Sequence, residues 1–332
     1  MKFRQRRSMG SVLIVGGAGY IGSHVALEFL NAGFKVTVFD NLSSGQQINQ
    51  FKNADFIHGD LQDRSILRKV FKNNYDVVIH MAALKAAGES MAEPEKYSRQ
   101  NITGTINLLE AVSSSTTRAL IFSSTAAVYG PPEYLPINEE HPTEPINYYG
   151  FTKLEIERFL QWYDKLKGIK FAALRYFNAA GYDSKGRVQG LEKNPANLIP
   201  VVMEVAAGLR ESMEVFGDDF PTKDGSGVRD YIHVSDLASA HLKAYNFLER
   251  EKKSFSVNVG TGKGLSVFEI IKAVEEVSGN KISYTVVPRR DGDPAELYAT
   301  PEKANVMLDW SATFSDLDSI IKTTWDVYKA QV

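Results

Sequence analysis

The sequence has no cysteine among its 332 residues. That excludes disulfide staples, thiol nucleophiles and cysteine-ligated metals, and it fits a reducing compartment, so a cytoplasmic location is expected. Apolar runs of membrane length are missing too, which removes a spanning helix from consideration. There is no large excess of either charge: 38 Lys and Arg stand against 40 Asp and Glu, a formal net charge of −2. That balance gives no reason to expect nucleic acid or an anionic membrane as a partner. The six histidines are scattered, with no pairing at metal-ligand spacing, so no metal is expected. There is no internal repeat and no low-complexity tract. The opening segment carries Arg4, Arg6 and Arg7 but no apolar core. Residues 1–10 therefore read as a flexible basic arm and not as a signal peptide.

What is present is enough chain for one large core or two joined ones, and a regular pattern. From Ser11 to about Phe177, short apolar runs alternate with helix-like segments. The runs include Asp55–His58, Val77–His80, Ala119–Phe122 and Lys170–Tyr176. Such alternation predicts an α/β fold with a parallel sheet covered on both faces. The stretches Pro131–Pro145 and Tyr182–Pro195 read as loops.

The most informative stretch is Ser11 to Gly22, an apolar strand that runs into Gly16-Gly17-Ala18-Gly19-Tyr20-Ile21-Gly22. A helix signal follows over Ser23–Leu30, then a second strand, Lys35–Phe39, ending in Asp40. Strand, glycine turn, helix, strand and acid form the dinucleotide-binding unit. One glycine permits the sharp turn, another lets backbone approach a pyrophosphate, and a third lets the helix pack close. The helix N-terminus offers unpaired N–H groups and the positive dipole end to phosphate. Asp40 would accept hydrogen bonds from the adenosine ribose and repel a 2′-phosphate, favouring NAD over NADP.

In open α/β sheets ligands sit at the carboxyl ends of the strands, so the residues there carry the next expectations. Asp60 follows the third run. It either bonds the adenine amino group or caps a helix starting near Leu61. After the fourth run come His80-Met81-Ala82-Ala83-Leu84-Lys85, where small residues allow a flat cofactor to approach. The fifth run ends in Ser123-Ser124-Thr125, hydroxyls that either serve chemistry or cap backbone. Then Tyr149 and Lys153 stand four apart, on one face of a helix. A free phenol has a pKa near ~10, so a base at neutral pH must fall by roughly three units, about 4 kcal/mol. Lys153 and a positive nicotinamide ring would favour the ionised form. Tyr163 and Lys167 repeat the spacing. Tyr149 opens its helix after the hydroxyl strand, whereas Tyr163 lies deep in the helix, where packing is the expectation.

Together these stretches resemble the UDP-hexose 4-epimerase branch of the extended short-chain dehydrogenase/reductase family. The resemblance runs from Val12 to about Trp310. Its most specific pieces are Gly16 to His24, Leu84 to Ser90, Arg175-Tyr176-Phe177-Asn178 and Phe216-Gly217-Asp218-Asp219, followed by Pro221 to Gly225, Gly227 to Val234 and Pro288 to Asp293. It implies a Rossmann domain over residues 11–178 plus about 229–262. A smaller α/β C-terminal domain, 179–228 plus 263–332, would hold the UDP-sugar. It implies that Tyr149 takes the proton of the sugar 4-OH, that Lys153 keeps Tyr149 ionised and binds the nicotinamide ribose, and that Thr125 bridges the 4-OH and Tyr149. Gly16, Gly19, Tyr20, Ile21, Gly22, Asp40, Asn41, Asp60, Leu61, Met81, Ala82, Ala83, Lys85, Asn101, Lys153 and Tyr176 would line NAD. Lys85, Thr125, Tyr149, Asn178, Asn197, Leu198, Phe216, Arg229, Arg290, Asp293 and Leu297 would meet the UDP-hexose. Phe216 would pack against uracil. Arg229 and Arg290 would pair with the diphosphate, since guanidinium donates paired hydrogen bonds. Without the family context, Arg229 beside Asp230 reads as a structural ion pair.

The implied activity is an isomerase's: hydride leaves C4 for NAD, the 4-keto sugar turns over, and hydride returns to the other face, interconverting UDP-galactose and UDP-glucose. The chain departs from its relatives at three places. Thr125 replaces a common Ser and keeps the hydroxyl. Met81-Ala82-Ala83 replaces Phe-Ala-Gly along the cofactor wall. Leu297 stands where some relatives carry a bulky Tyr, which gives the hypothesis that UDP-GalNAc and UDP-GlcNAc also fit. A 4,6-dehydratase is the near alternative, but it needs Asp-Glu after the hydroxyl position, where Ala126 and Ala127 stand. A non-catalytic NAD-binding sensor is the other, although such proteins usually lose the Tyr or Lys. The resemblance also implies a homodimer, paired through helices near Pro94–Ser113 and Tyr149–Lys167.

Overall fold

A computed structural model describes residues 10–290 and 292–331. The expected arm over 1–10 lies, but for Gly10, outside the described residues, as does Asp291.

Thirteen strands occur among the described residues, in chain order β1 Ser11–Val15, β2 Lys35–Asp40, β3 Asp55–His58, β4 Val77–His80, β5 Ala119–Thr125, β6 Lys170–Tyr176, β7 Asn178–Ala180, β8 Met213–Phe216, β9 Val228–His233, β10 Phe255–Val259, β11 Gly264–Ser266, β12 Tyr284–Val287 and β13 Glu296–Leu297. Seven form one sheet in the order β10-β6-β5-β4-β1-β2-β3, with every neighbouring pair parallel. The order reverses between β1 and β4, and a crevice opens at such a switch point. This is the doubly wound Rossmann sheet the sequence pattern predicts.

The sheet's two faces follow from the two-residue period of its strands. Val12 and Ile14 point into one buried cluster, with Val25 and Phe29 of the helix Tyr20–Asn31 and Leu237, Ala244 and Leu248 of the helix Val234–Glu251. Leu13 and Val15 point into another, with Leu67, Leu108, Leu109, Ile156 and Leu160 of the opposite helices. Strands covered on both sides read as unbroken apolar runs, which is why the sequence gives them away. The expected helix near Leu61 does not begin there. It spans Arg64–Val70, and Asp63 caps it by accepting from the backbone of Ser65 and Ile66.

After β6 the chain departs to a second cluster, in which Ile199, Val202 and Met203 pack with Ile270, Val274, Ile320 and Ile321. β9 organises this part: β7 and β13 pair with it in parallel and β11 antiparallel. The helix Glu302–Leu308 returns to the main sheet, where Ala304 and Leu308 join the first cluster.

Of the five buried histidines, four are held neutral by burial: His24, His80, His233 and His241. Burial pushes His24, His233 and His241 down to about 4, and His80 to about 3. In the unfolded chain they titrate near ~6.5. Between those limits the unfolded state binds more protons, so stability falls as pH falls. Each histidine adds up to about 1.4 kcal/mol per pH unit to that slope. The urea midpoint is expected to drop steeply from pH 6.5 to pH 4.5. A midpoint that stays flat over that range is the contrary result.

Candidate active site

The carboxyl ends of β1, β4, β5 and β6 converge on one side of the sheet, and three groups of side chains line that side. The first surrounds the glycine turn. Gly16 has φ +84°, and a Cβ there would lie 2.6 Å from the Ala82 nitrogen. At Gly22 a Cβ would lie 2.1 Å from the Gly16 oxygen, so the helix can approach the strand only without a side chain. Gly19 differs: its φ is an ordinary −71°, it opens the helix, and no side chain caps that end. The turn thus divides as the sequence suggests, with one glycine for the bend, one for packing and one leaving the helix N-terminus open to an anion.

Tyr20 and Ile21 begin the helix, and the Tyr20 hydroxyl donates to the Gly181 carbonyl at 2.5 Å. Asp40 is buried and accepts from the backbone nitrogens of Ala18 at 2.9 Å and Leu42 at 2.8 Å, which holds a carboxylate at the turn. Asn41 donates to Asp60 at 2.7 Å, and the other Asp60 oxygen accepts from the Gln62 nitrogen. Leu61 is buried against the sheet's helices. Met81 and Ala82 both donate their backbone N–H to Val15, and with Ala83 they stay half-exposed along the crevice. Lys85 reaches across to pair with Glu192.

The second group is catalytic in character. Asn147 caps the helix Tyr148–Lys167 by accepting from Gly150, so Tyr149 sits in its first turn. The Tyr149 nitrogen donates to the Ser90 hydroxyl at 3.0 Å. Burial pushes its phenol up to about 12, and a hydrogen bond with Thr125 pulls the other way. Thr125 ends β5, and its hydroxyl also accepts from Ala127. Lys153, one turn beyond Tyr149, is almost fully buried. Its ammonium lies 5.9 Å from the centre of the Tyr149 ring and donates to the Ser123 carbonyl at 2.8 Å. Burial pushes Lys153 down to about 7, and Glu157 opposes that shift. Asn101 sits in a π-helical turn, Ser98–Thr103, a kind of distortion that often marks functional sites. Its amide clamps Leu84 through both nitrogen and carbonyl and donates to Thr152 on the Tyr149 helix. Tyr176 gives its hydroxyl to His241 at 2.8 Å. Tyr163, the rival by spacing, packs against the sheet cluster.

The third group lies on the second part of the chain. Asn178 donates to the Asp230 carbonyl at 3.1 Å. Asn197 is exposed at the start of the helix Leu198–Ala206. The Arg290 guanidinium lies 4.4 Å above the Phe216 ring and donates to Asp293 at 2.9 Å. Arg229 faces the same carboxylate at 3.7 Å. Two guanidinium groups and an aromatic face therefore meet at one carboxylate, a set that can exchange it for phosphate. Leu297 pairs with Arg229 across β13 and β9 and packs against the Val128–Tyr129–Ile137–Leu154 cluster. The structural Arg229–Asp230 pair that adjacency suggests does not form. Asp230 is fully buried and accepts instead from Thr261, Gly262 and Ala299. In a strand, neighbouring side chains leave on opposite faces.

Sequence reasoning misses a buried network beneath Lys153. The Glu157 carboxylate accepts from Arg175 at 3.0 and 2.6 Å and from the Ser124 hydroxyl at 2.5 Å. Arg175 also donates to the Tyr129 hydroxyl, which donates to Asn258. The signal was available: Tyr149, Lys153 and Glu157 recur every four residues, one face of one helix.

Residues 12–260 match the NAD dependent epimerase/dehydratase family. The chain is 43% identical over 320 residues to a UDP-glucose 4-epimerase from Halalkalibacterium halodurans, covering 96% of each. The fold superposes with a TM-score of 0.94 on the crystal structure of UDP-glucose 4-epimerase from Brucella ovis in complex with NAD, at 42% identity, covering 96% of this chain and 98% of that one. It also superposes with a TM-score of 0.85 on the UDP-Glc/GlcNAc 4-epimerase from Campylobacter jejuni, at 39% identity, covering 97% and 99%.

Proposed function

The chain belongs to the NAD dependent epimerase/dehydratase family, and from that we propose that it is an isomerase acting at C4 of a UDP-hexose. It interconverts UDP-galactose and UDP-glucose with NAD. The observation that carries this reading is the sharing of one buried corner by Thr125, Tyr149 and Lys153, with a glycine cradle for a dinucleotide beside it and Ala126 and Ala127 next to Thr125. An alanine moves no proton, which disfavours dehydration. The intact Tyr149–Lys153 pair disfavours a sensor.

The cofactor fits the residues present. Gly16 and Gly22 let the turn and the first helix close together where any side chain would meet backbone, Gly19 leaves the helix N-terminus uncapped for a phosphate, and Asp40 offers a carboxylate to a ribose and repels a 2′-phosphate. Met81, Ala82, Ala83, Asn101 and Tyr176 line the rest of its path. Bound there, NAD would supply the hydride acceptor and donor for the sugar C4. The protein supplies the proton chemistry. Thr125 orients the 4-OH toward Tyr149. Tyr149 takes that proton as the ketone forms and gives it back as the ketone is reduced. Lys153 adds positive charge beside the phenol, which favours its ionised form. Arg229, Arg290, Phe216, Asn178, Asn197 and Leu198 grip the UDP portion. The 4-keto sugar is thereby left free to present its other face.

The proposal includes the division of labour between 11–178 with about 229–262 for NAD and 179–228 with 263–332 for the UDP-sugar. Its support is the second hydrophobic cluster. It also includes a cytoplasmic homodimer. Among the described residues no helix is long and apolar enough to cross a membrane. Ile106, Phe151, Trp162 and Leu166 are exposed on the two helices expected to pair, and such a stripe needs cover. Sedimentation at micromolar concentration should give a dimer; a monomer there is the contrary result.

The test of function is to incubate pure protein separately with UDP-galactose, UDP-GalNAc and UDP-GlcNAc and identify the products. UDP-galactose should give UDP-glucose. Leu297 is smaller than the Tyr of some relatives, so N-acetylated sugars should also turn over, and Leu297→Tyr should abolish that activity while sparing UDP-galactose. Turnover of UDP-galactose with none of UDP-GalNAc removes Leu297 as a permissive gate.

A further inference from the structure

One segment outside every role above bridges the loops that follow β2 and β4, on either side of the glycine turn. After β7, the loop from Gly181 lies along the first helix: His24 accepts from the Asp183 nitrogen at 3.0 Å, and the Asp183–Arg187 pair sits beside Asn31. Gly190, Leu191 and Glu192 are then fastened on both walls. On the β2 side, the Gly190 nitrogen donates to Asn49 Oδ1 at 2.9 Å, and Gln46 Nε2 donates to the Leu191 carbonyl at 3.0 Å. On the β4 side, Glu192 pairs with Lys85. Asn49 is the junction. It is buried, and its Nδ2 donates to the Ala18 carbonyl of the glycine turn at 3.3 Å. Gln46 donates its backbone nitrogen to the same carbonyl at 2.9 Å. One side chain therefore ties the turn that would cradle the pyrophosphate to the bridging segment. The fit is close: a Cβ at Gly190 would lie 2.7 Å from both Asn49 side-chain termini.

We propose that Gly190–Glu192 is a strap that retains the bound dinucleotide, latched by Asn49 and Gln46 on one wall and by Lys85 on the other. The proposal rests on the NAD-binding reading above. Its physical content is kinetic: NAD leaves only after at least one latch opens, so each latch slows dissociation. The two latches differ in kind. Asn49 is buried, and its loss leaves the Gly190 N–H without the acceptor it has in Asn49. The Lys85–Glu192 pair is partly exposed, with the Lys85 side chain 57% accessible, and salt screens such a pair.

The experiment loads the full-length protein with radiolabelled NAD, chases it with excess unlabelled NAD, and measures the label remaining over time. Asn49→Ala should raise the dissociation rate about tenfold, the scale of one buried hydrogen-bonding group lost. Glu192→Gln should raise it about threefold at low salt, as expected of a partly exposed ion pair. Raising the salt should speed release from the wild type and hardly change release from Glu192→Gln. Wild-type rates in both variants overturn the strap. If Asn49→Ala does not fold, Glu192→Gln and its salt response decide alone. A wild-type protein that holds no NAD at all overturns the NAD reading instead, so the two failures are distinguishable.

Discussion

Replacing Tyr149 with phenylalanine should lower turnover by about 10²–10⁴-fold, the range of a lost general base, with folding and NAD binding intact. The ring stays, so the helix start capped by Asn147 keeps its packing. Only the hydroxyl goes, and with it the group that takes the 4-OH proton. The size of the effect follows from the surroundings. With the phenol pushed up to about 12 by burial, ionising it at pH 7 would cost about 7 kcal/mol. Nearby positive charge has to supply most of that. Lys153 is one source, and the oxidised nicotinamide is the other when NAD is bound. Burial holds Lys153 itself down to about 7, so the environment that opposes its deprotonation, Glu157 first, matters. Rates measured with UDP-galactose, with NAD content quantified in the same sample, check this. Wild-type turnover in Tyr149→Phe removes Tyr149 from the mechanism.

That environment gives the second large effect. Glu157→Gln should destabilise the fold by about 3–5 kcal/mol, the cost of breaking a buried ion pair from one side. Arg175 has 7% of its surface exposed and would keep its charge with only the Tyr129 hydroxyl and a neutral amide for company. Its position is fixed by register, because Arg175 stands opposite Ser124 in the β5–β6 ladder. Replacing both partners with methionine should recover most of the lost stability, since a packed apolar pair often equals a buried salt bridge. Urea unfolding of the three proteins at one pH separates these outcomes. A Glu157→Gln midpoint equal to that of the wild type would show that the pair contributes little to the fold.

The sequence makes β1, β4 and β6 legible almost to the residue, because strands buried on both faces read as near-continuous apolar runs; β3, at the sheet edge with exposed Asp55 and His58, is marked only by Phe56 and Ile57 between them. The glycine turn is legible because each glycine answers a separate steric demand, now visible at Gly16 and Gly22. Other features depend on partners far along the chain. β7, β11 and β13 are two or three residues long and exist because β9 offers them edges; no local pattern marks them. Asp60 and Asp63 are both competent caps, and only the turn between them, with Gln62 bonded to Asp60, decides that the helix waits for Asp63. Adjacency made Arg229 and Asp230 look paired, whereas strand alternation sends Arg229 to Asp293 and buries Asp230 among backbone donors. The Glu157–Arg175 pair needed both a helical period and a strand register, and neither residue announces it alone. Glu192 falls in a stretch that reads as loop and Asn49 in one that carries no motif, and their meaning comes from what they bridge.

The most direct test of the central claim uses UDP-galactose carrying deuterium at C4, given to the pure protein in ordinary water. If hydride leaves C4 and returns to the same carbon while Tyr149 handles only the hydroxyl proton, the UDP-glucose formed keeps its deuterium at C4. UDP-glucose that has lost the deuterium to solvent, or no UDP-glucose at all, would contradict the account.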